Sequence, residues 1–248
     1  MNTNNSRRVI SILEHKLDRR KITLKDITHR QGAASYLGAV EESPTEIVVY
    51  YNPSYPESVR EASFVHEILH VILAHEGYPR VTIDETSSVS LPPALRNRLP
   101  NLRDRFKSAI DHPEVFRRIL SQFELDTDSY FNAQVAQKLR LFERRSGEQM
   151  RRDAQYHFQR QQNIMWGTEF FYYPEKHKER ISLAFKTSYQ EEWESCLSLY
   201  NKVKATGFEN PASCYKSALA IKSHIVEYGR ARAIGQLNEM WNALEIRM

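Results

Sequence analysis

Five consecutive residues carry the chemistry this sequence offers: His66-Glu67-Ile68-Leu69-His70. If the segment is helical, positions 66 and 70 lie about 40° apart on one face and one turn apart along the axis, so two imidazoles can meet a single tetrahedral ion. Glu67 flanks that face. A carboxylate there sits beside a water activated by the ion, and it can take the proton of that water and later deliver it to a leaving amine. Chance is a poor explanation, because the chain's own His and Glu frequencies yield such an HExxH pattern in about 3% of sequences of this length. The plainer alternative makes His66 and His70 ordinary polar helix positions and Glu67 a solvated charge. Two histidines and a carboxylate on an otherwise apolar helix would then need other buried partners.

A catalytic zinc takes three protein ligands and keeps an open position. His75 is five residues beyond His70, about 140° round the helix, so it points away from the pair and suits the negative end of the helix dipole. The longer pattern HExxHxxGxxH would need Gly in place of Leu73 and His in place of Glu76, so a metzincin arrangement is excluded. His112, beside Pro113, is the expected third ligand. Asp84, Glu85, Asp111 and Glu114 are the carboxylate alternatives, with Asp111 and Glu114 also suited to capping a helix, and His157, His177 and His224 lie further along.

The elements that must position these groups are partly legible. Ser54-Tyr55-Pro56-Glu57 has the form of a capping box, and Gly77 followed by Pro79 supplies a stop. Between them Val59, Ala62, Val65, Ile68, Leu69, Ile72 and Leu73 cover most of a helix's circumference, which predicts a central, buried helix of about five turns. Upstream, Tyr36, Leu37, Ala39 and Val40, the turn Ser43-Pro44-Thr45 and the run Ile47-Val48-Val49-Tyr50-Tyr51 read as a β-hairpin. A first helix is expected over residues 7–20 from Val9, Ile12, Leu13 and Leu17. Residues 81–100 read as a loop. A short helix over 101–110 is expected to end before a second one capped by Asp111. Beyond Thr127 the pattern is helical almost to the end, with Asn210-Pro211 opening the last long segment. The predicted fold class is therefore mainly α with a small β-hairpin or sheet, divided into residues 1–127 around the HExxH helix and a helical region 128–248.

Composition bounds the rest. With 248 residues, 41% hydrophobic and 27% charged, the chain is neither disordered nor in need of a metal for folding, and no apolar run is long enough to span a bilayer. Only 8 glycines argue against a fold built on many tight turns. The two cysteines, Cys196 and Cys214, form neither a disulfide framework nor a metal pattern, and the polar N-terminus carries no secretory signal, so a cytoplasmic protein is expected.

The order of elements, a strand ending Tyr50-Tyr51-Asn52-Pro53 followed by the helix bearing His66-Glu67-Ile68-Leu69-His70, resembles the ImmA/IrrE-like branch of the zincin metallopeptidases over residues 46–76. The resemblance implies that His66 and His70 bind Zn2+, that Glu67 is the general base and that the strand from Ile47 through Val48, Val49 and Tyr50 to Tyr51 lies along the substrate cleft. Such an enzyme hydrolyses peptide bonds of a protein or peptide substrate, held extended by main-chain pairing with an edge strand. In that family a glutamate on the following helix often supplies the third ligand, where this chain offers Asp111, His112 and Glu114.

A second reading makes the chain a helical nucleic-acid-binding or regulatory protein with a structural or vestigial metal site. Its basis is two basic groups, Arg96, Arg98, Arg103, Arg105, Lys107, Arg117 and Arg118, and Lys138, Arg140, Arg144, Arg145, Arg151, Arg152 and Arg160. The net charge is only +4 and Asp104, Glu114, Glu143, Glu148 and Asp153 are interspersed, so a mixed-charge helix face is favoured over a phosphate-tracking one.

Overall fold

The computed structural model describes residues 20–28, 37–146, 154–231 and 235–248, and Ser11. It is mainly helical with two small sheets, as the hydrophobic periodicity predicts. The helix expected over 7–20, Tyr36, and the basic residues Arg151 and Arg152 lie outside the described residues, as do the side chains of Arg144, Arg145 and His157.

The chain divides into two compact units, Met1–Glu76 with Glu114–Leu141, and Gly77–Pro113 with Phe142–Met248. Each unit is assembled from two stretches, and the chain passes between the units just after the helix Glu57–His75 and within the helices Leu99–Gln122 and Thr127–Ser146.

In the first unit β1 (Lys21–Asp26), β2 (Gly38–Glu42) and β3 (Glu46–Tyr51) form a sheet in the order β1-β3-β2. β2 and β3 are the expected hairpin, antiparallel from Gly38 opposite Tyr51 to Glu42 opposite Ile47. β1, a segment with little local strand signal, pairs parallel with the other side of β3, Lys21 opposite Glu46 and Asp26 opposite Tyr51. β3 is thus the middle strand. Ile47, Val48 and Val49 are buried, and both edges of their backbone are already used. The expectation that Ile47, Val48, Val49, Tyr50 and Tyr51 form a substrate-pairing edge is corrected: a peptide cannot add to a strand flanked on both sides.

Helix α1 (Glu57–His75) packs on β2 and β3. Its apolar residues bury almost all round, as the pattern requires of a core helix. Gly77 at φ 81° ends it in the left-handed region that glycine adopts at little cost. The expected capping box is absent. Pro56 occupies the N-cap, and the Ser54 hydroxyl instead donates to Asn52 Oδ1 at 2.6 Å. The other stretch of this unit supplies Phe116, Tyr130 and Phe131, with Phe131 edge-on to both rings at 5.3 and 5.2 Å.

In the second unit the expected loop over 81–100 contains β4 (Arg80–Ile83), α2 (Glu85–Val89) and α3 (Pro93–Arg96). β4 pairs antiparallel with β5 (Leu244–Arg247), a partner more than 160 residues away that makes a strand of a segment with little local strand signal. The break expected at Asp111 is also absent. Helix α4 (Leu99–Gln122) runs through Pro113, which it carries in its interior. A proline there forfeits one backbone hydrogen bond, and the burial of Ile110, Val115, Phe116 and Ile119 around it offsets that loss. α5 (Thr127–Ser146) likewise contributes to both units. The rest is α6 (Ala154–Glu169), a 3-10 turn (Phe170–Tyr172), α7 (Glu175–Ser188), α8 (Gln190–Lys204), α9 (Pro211–Arg230) and α10 (Gly235–Asn242). An aromatic core forms here: Phe142, Phe170, Phe185 and Tyr189 cluster edge to face, and Trp241 is fully buried against Phe106. Asn210 caps α9 through a capping box with Ser213.

Candidate metal centre

Helix α1 places His66 and His70 one turn apart, with Nε2 of one ring 3.2 Å from Nε2 of the other. His66 is buried and His70 half-buried, and their rings meet edge to face at 4.8 Å. Phe116 and Tyr130 close over His66 from the side, with centroids at 5.8 and 5.9 Å. His112 is carried by α4. Among the described residues His66, His70 and His112 form the group able to hold a metal, each offering a ring nitrogen within 4.8 Å of the others.

The separations can be compared with what an ion requires. Two imidazole nitrogens bound to zinc at tetrahedral angles stand about 3.3 Å apart. His66 and His70 are at that distance already. The widest separation in the group exceeds that edge by no more than about 1.5 Å. Three histidines are also a donor set of catalytic rather than structural zinc sites. The residues present fit the ion.

Outer groups stand beside two of the rings. The Tyr130 hydroxyl lies 2.9 Å from His66 Nδ1 and accepts from Gln134 Nε2 at 2.8 Å. Tyr130 is fully buried, so its hydroxyl serves His66 from behind. His112 Nδ1 lies 2.9 Å from Glu169 Oε2. Neither Tyr130 nor Glu169 was legible in the sequence, because each stands 57 or more positions from the histidine it touches and no spacing rule connects them.

Glu67 projects from α1 toward the start of β2. Part of its side chain reaches the surface, but its carboxyl is packed in, and burial pushes that group up to about 8. A neighbouring dication would draw it down again, since opposite charge favours the ionised form. Gly38 makes the approach of β2 to this helix feasible: a Cβ there would stand 2.5 Å from Ser63 Oγ and 3.3 Å from Glu67 Cγ.

The other candidates have different work. Asp84 caps α2, accepting from the backbone N–H of Thr86 and Ser87, and Glu85 is exposed. Asp111 pairs with Lys107, and Glu114 with Arg117 and Arg118, so they are not the capping pair the sequence suggested. His224 meets Ser195 Oγ at 2.8 Å, and His177 is buried in the first turns of α7. His75 points away from the centre, with Nε2 2.6 Å from Glu42 Oε1.

No protein-family profile, curated protein or solved structure matches the chain, so the chemistry of the site rests on its residues and their geometry.

Proposed function

We propose that the protein is a zinc-dependent endopeptidase of the HExxH type, akin to the zincins, acting on a protein or peptide substrate. The observation that carries this reading is the group of ring nitrogens of His66, His70 and His112, all within 4.8 Å of one another, with Glu67 next to His66 in the HExxH segment. Zinc bound by the three histidines supplies a Lewis acid that acidifies water and polarises a carbonyl. Glu67 then serves as general base, taking the proton of the attacking water, and as general acid, returning it to the departing amine when the C–N bond breaks. The buried Phe116 and Tyr130 rings pack against His66 and hold that ring still.

Substrate alignment falls to β2 rather than β3. β2 is an edge strand among the described residues, and its first residue lies against Ser63 and Glu67. An extended peptide adding to its outer edge gains main-chain hydrogen bonds independent of side-chain sequence. Among the described residues no helix is long and apolar enough to cross a membrane. Cys196 and Cys214 are both free and buried, which suits a reducing, cytoplasmic setting.

The nucleic-acid reading draws less support. Arg103, Lys107, Arg117, Arg118 and Arg160 spend their charge on Asp104, Asp111, Glu114, Glu76, Glu191 and Glu192, and Arg96 donates to the carbonyls of Val89 and Leu91. Glu67→Gln tests the enzyme reading. The variant keeps zinc but loses hydrolysis of a denatured protein substrate; cleavage at the wild-type rate overturns the general-base role, and steeply salt-dependent nucleic-acid binding without hydrolysis in the wild type favours the rival.

A further inference from the structure

Two turns before Glu67, helix α1 carries Arg60. Their spacing of seven residues puts the two positions about 20° apart round the helix and about 10.5 Å apart along its axis, so Arg60 shares the face that carries the general base. The sheet meets that face here. Gly38, the first residue of β2, comes against Ser63 and Glu67, and the Arg60 guanidinium lies 5.9 Å from the centre of the ring of Tyr51, the residue paired with Gly38. β2 then follows α1 toward its other end, where Glu42 meets His75. Arg60 therefore stands past the start of β2, on the side of Glu67 remote from Glu42.

The cation is not spent inside the protein. Arg60 is half-buried, its Nε is buried without a hydrogen-bond partner, and among the described residues no carboxylate is paired with its guanidinium. The Tyr51 ring offers a π face, which holds a cation without using its N–H donors. A donor withdrawn from water and left unmet is costly, and a carboxylate can satisfy two guanidinium N–H groups at once. An extended peptide adding to β2 pairs more stably antiparallel than parallel, so its C-terminal end runs toward Arg60. At about 3.3 Å per residue, the 10.5 Å from Glu67 to Arg60 is covered by about three residues. We propose that Arg60 is a specificity-determining residue that takes a carboxylate of the substrate about three residues to the C-terminal side of the scissile bond. This inference rests on the proposed peptidase reading and names the substrate class it implies, peptides that are anionic at that position.

Cleavage-site mapping tests it: the zinc-loaded full chain digests denatured serum albumin, and mass spectrometry locates the cut bonds. Wild-type sites are enriched in Asp or Glu, or in the chain's terminal carboxylate, about three residues past the cut. Arg60→Gln loses the enrichment at unchanged zinc content, and Arg60→Glu shifts it to Lys and Arg, which a merely structural role would not produce. Arg60→Lys retains it and keeps the test alive if the glutamine variant does not fold. Matched peptides around one mapped site then separate the two sources of the carboxylate. One pair places Glu or Gln at the third residue of a longer, amidated peptide; the other ends at that residue as free acid or amide. A fall in kcat/KM of about 10- to 100-fold, mainly through KM, in the first pair assigns a side chain and in the second a chain terminus. Hydrolysis without enrichment at that position, or an enrichment that Arg60→Gln keeps, overturns the role of Arg60 and leaves the peptidase reading standing. A zinc-loaded wild type that cleaves nothing overturns both.

Discussion

Gly38 is where the sheet comes closest to the metal-bearing helix, and Gly38→Ala is a calculable perturbation. An added Cβ would stand 2.5 Å from Ser63 Oγ, 3.1 Å from the Tyr50 carbonyl oxygen and 3.3 Å from Glu67 Cγ. Ordinary contacts of this kind begin near 3.4 Å, so the overlap with Ser63 approaches an ångström. Ser63 is 2% exposed and has little room to swing aside. Overpacking of this size costs about 1–3 kcal/mol, against about 0.4–1 kcal/mol returned by the stiffer unfolded chain, for a net loss of about 1–2 kcal/mol. Urea unfolding monitored by circular dichroism measures it. Because most of the overlap is with one oxygen, Gly38→Ala combined with Ser63→Ala recovers about 1 kcal/mol of the loss, a coupling that a double-mutant cycle isolates. The contact to Glu67 predicts a second effect, reduced hydrolysis at unchanged zinc content. A Gly38→Ala protein as stable as the wild type, or single-variant effects that add within about 0.5 kcal/mol, refutes the close approach of β2 and α1.

Three further outcomes follow from the packing. Tyr130→Phe leaves His66 Nδ1–H buried without its hydroxyl, which lowers stability by about 1–3 kcal/mol in a denaturant titration and weakens zinc binding. Asn210→Ala removes the accepting half of the α9 capping box and costs about 1 kcal/mol by the same measurement. The Asp84 carboxyl is held below its ordinary range by the Ser87 hydroxyl, the N–H groups of Ser87 and Thr86, and Arg247. Its contribution is present above the unfolded value near about 3.9 and is lost as pH falls through the depressed folded value, so Asp84→Asn flattens the acid limb of a stability–pH profile.

What the sequence disclosed and what it hid divide along the reach of the forces involved. The α1 helix was legible because its apolar positions, Gly77 and Pro79 act within a few turns, and the β2–β3 hairpin because its turn and alternation are contiguous. β1 escaped notice since a short strand with three lysine and aspartate side chains among six residues looks like a polar segment until Glu46–Tyr51 pairs with it. That omission also misplaced the free edge of the sheet, for which β3 was taken in place of β2. Pro113 read as a helix break because local rules weigh a proline heavily, yet the apolar stripe on both sides of it kept α4 continuous. The centre itself was half visible: His66, Glu67 and His70 lie in one motif, and His112 was singled out by sequence. Tyr130 and Glu169 reach their histidines only through tertiary packing.

Metal analysis of the purified, zinc-loaded chain beside its His66→Ala, His70→Ala and His112→Ala variants tests the central claim most directly. The account predicts one tightly held zinc per wild-type chain and loss of tight binding in each variant, with far-UV circular dichroism preserved on chelation because the core does not depend on the ion. A wild type that retains no zinc after loading, or variants that all retain it as the wild type does, would contradict a metal centre built on these three histidines.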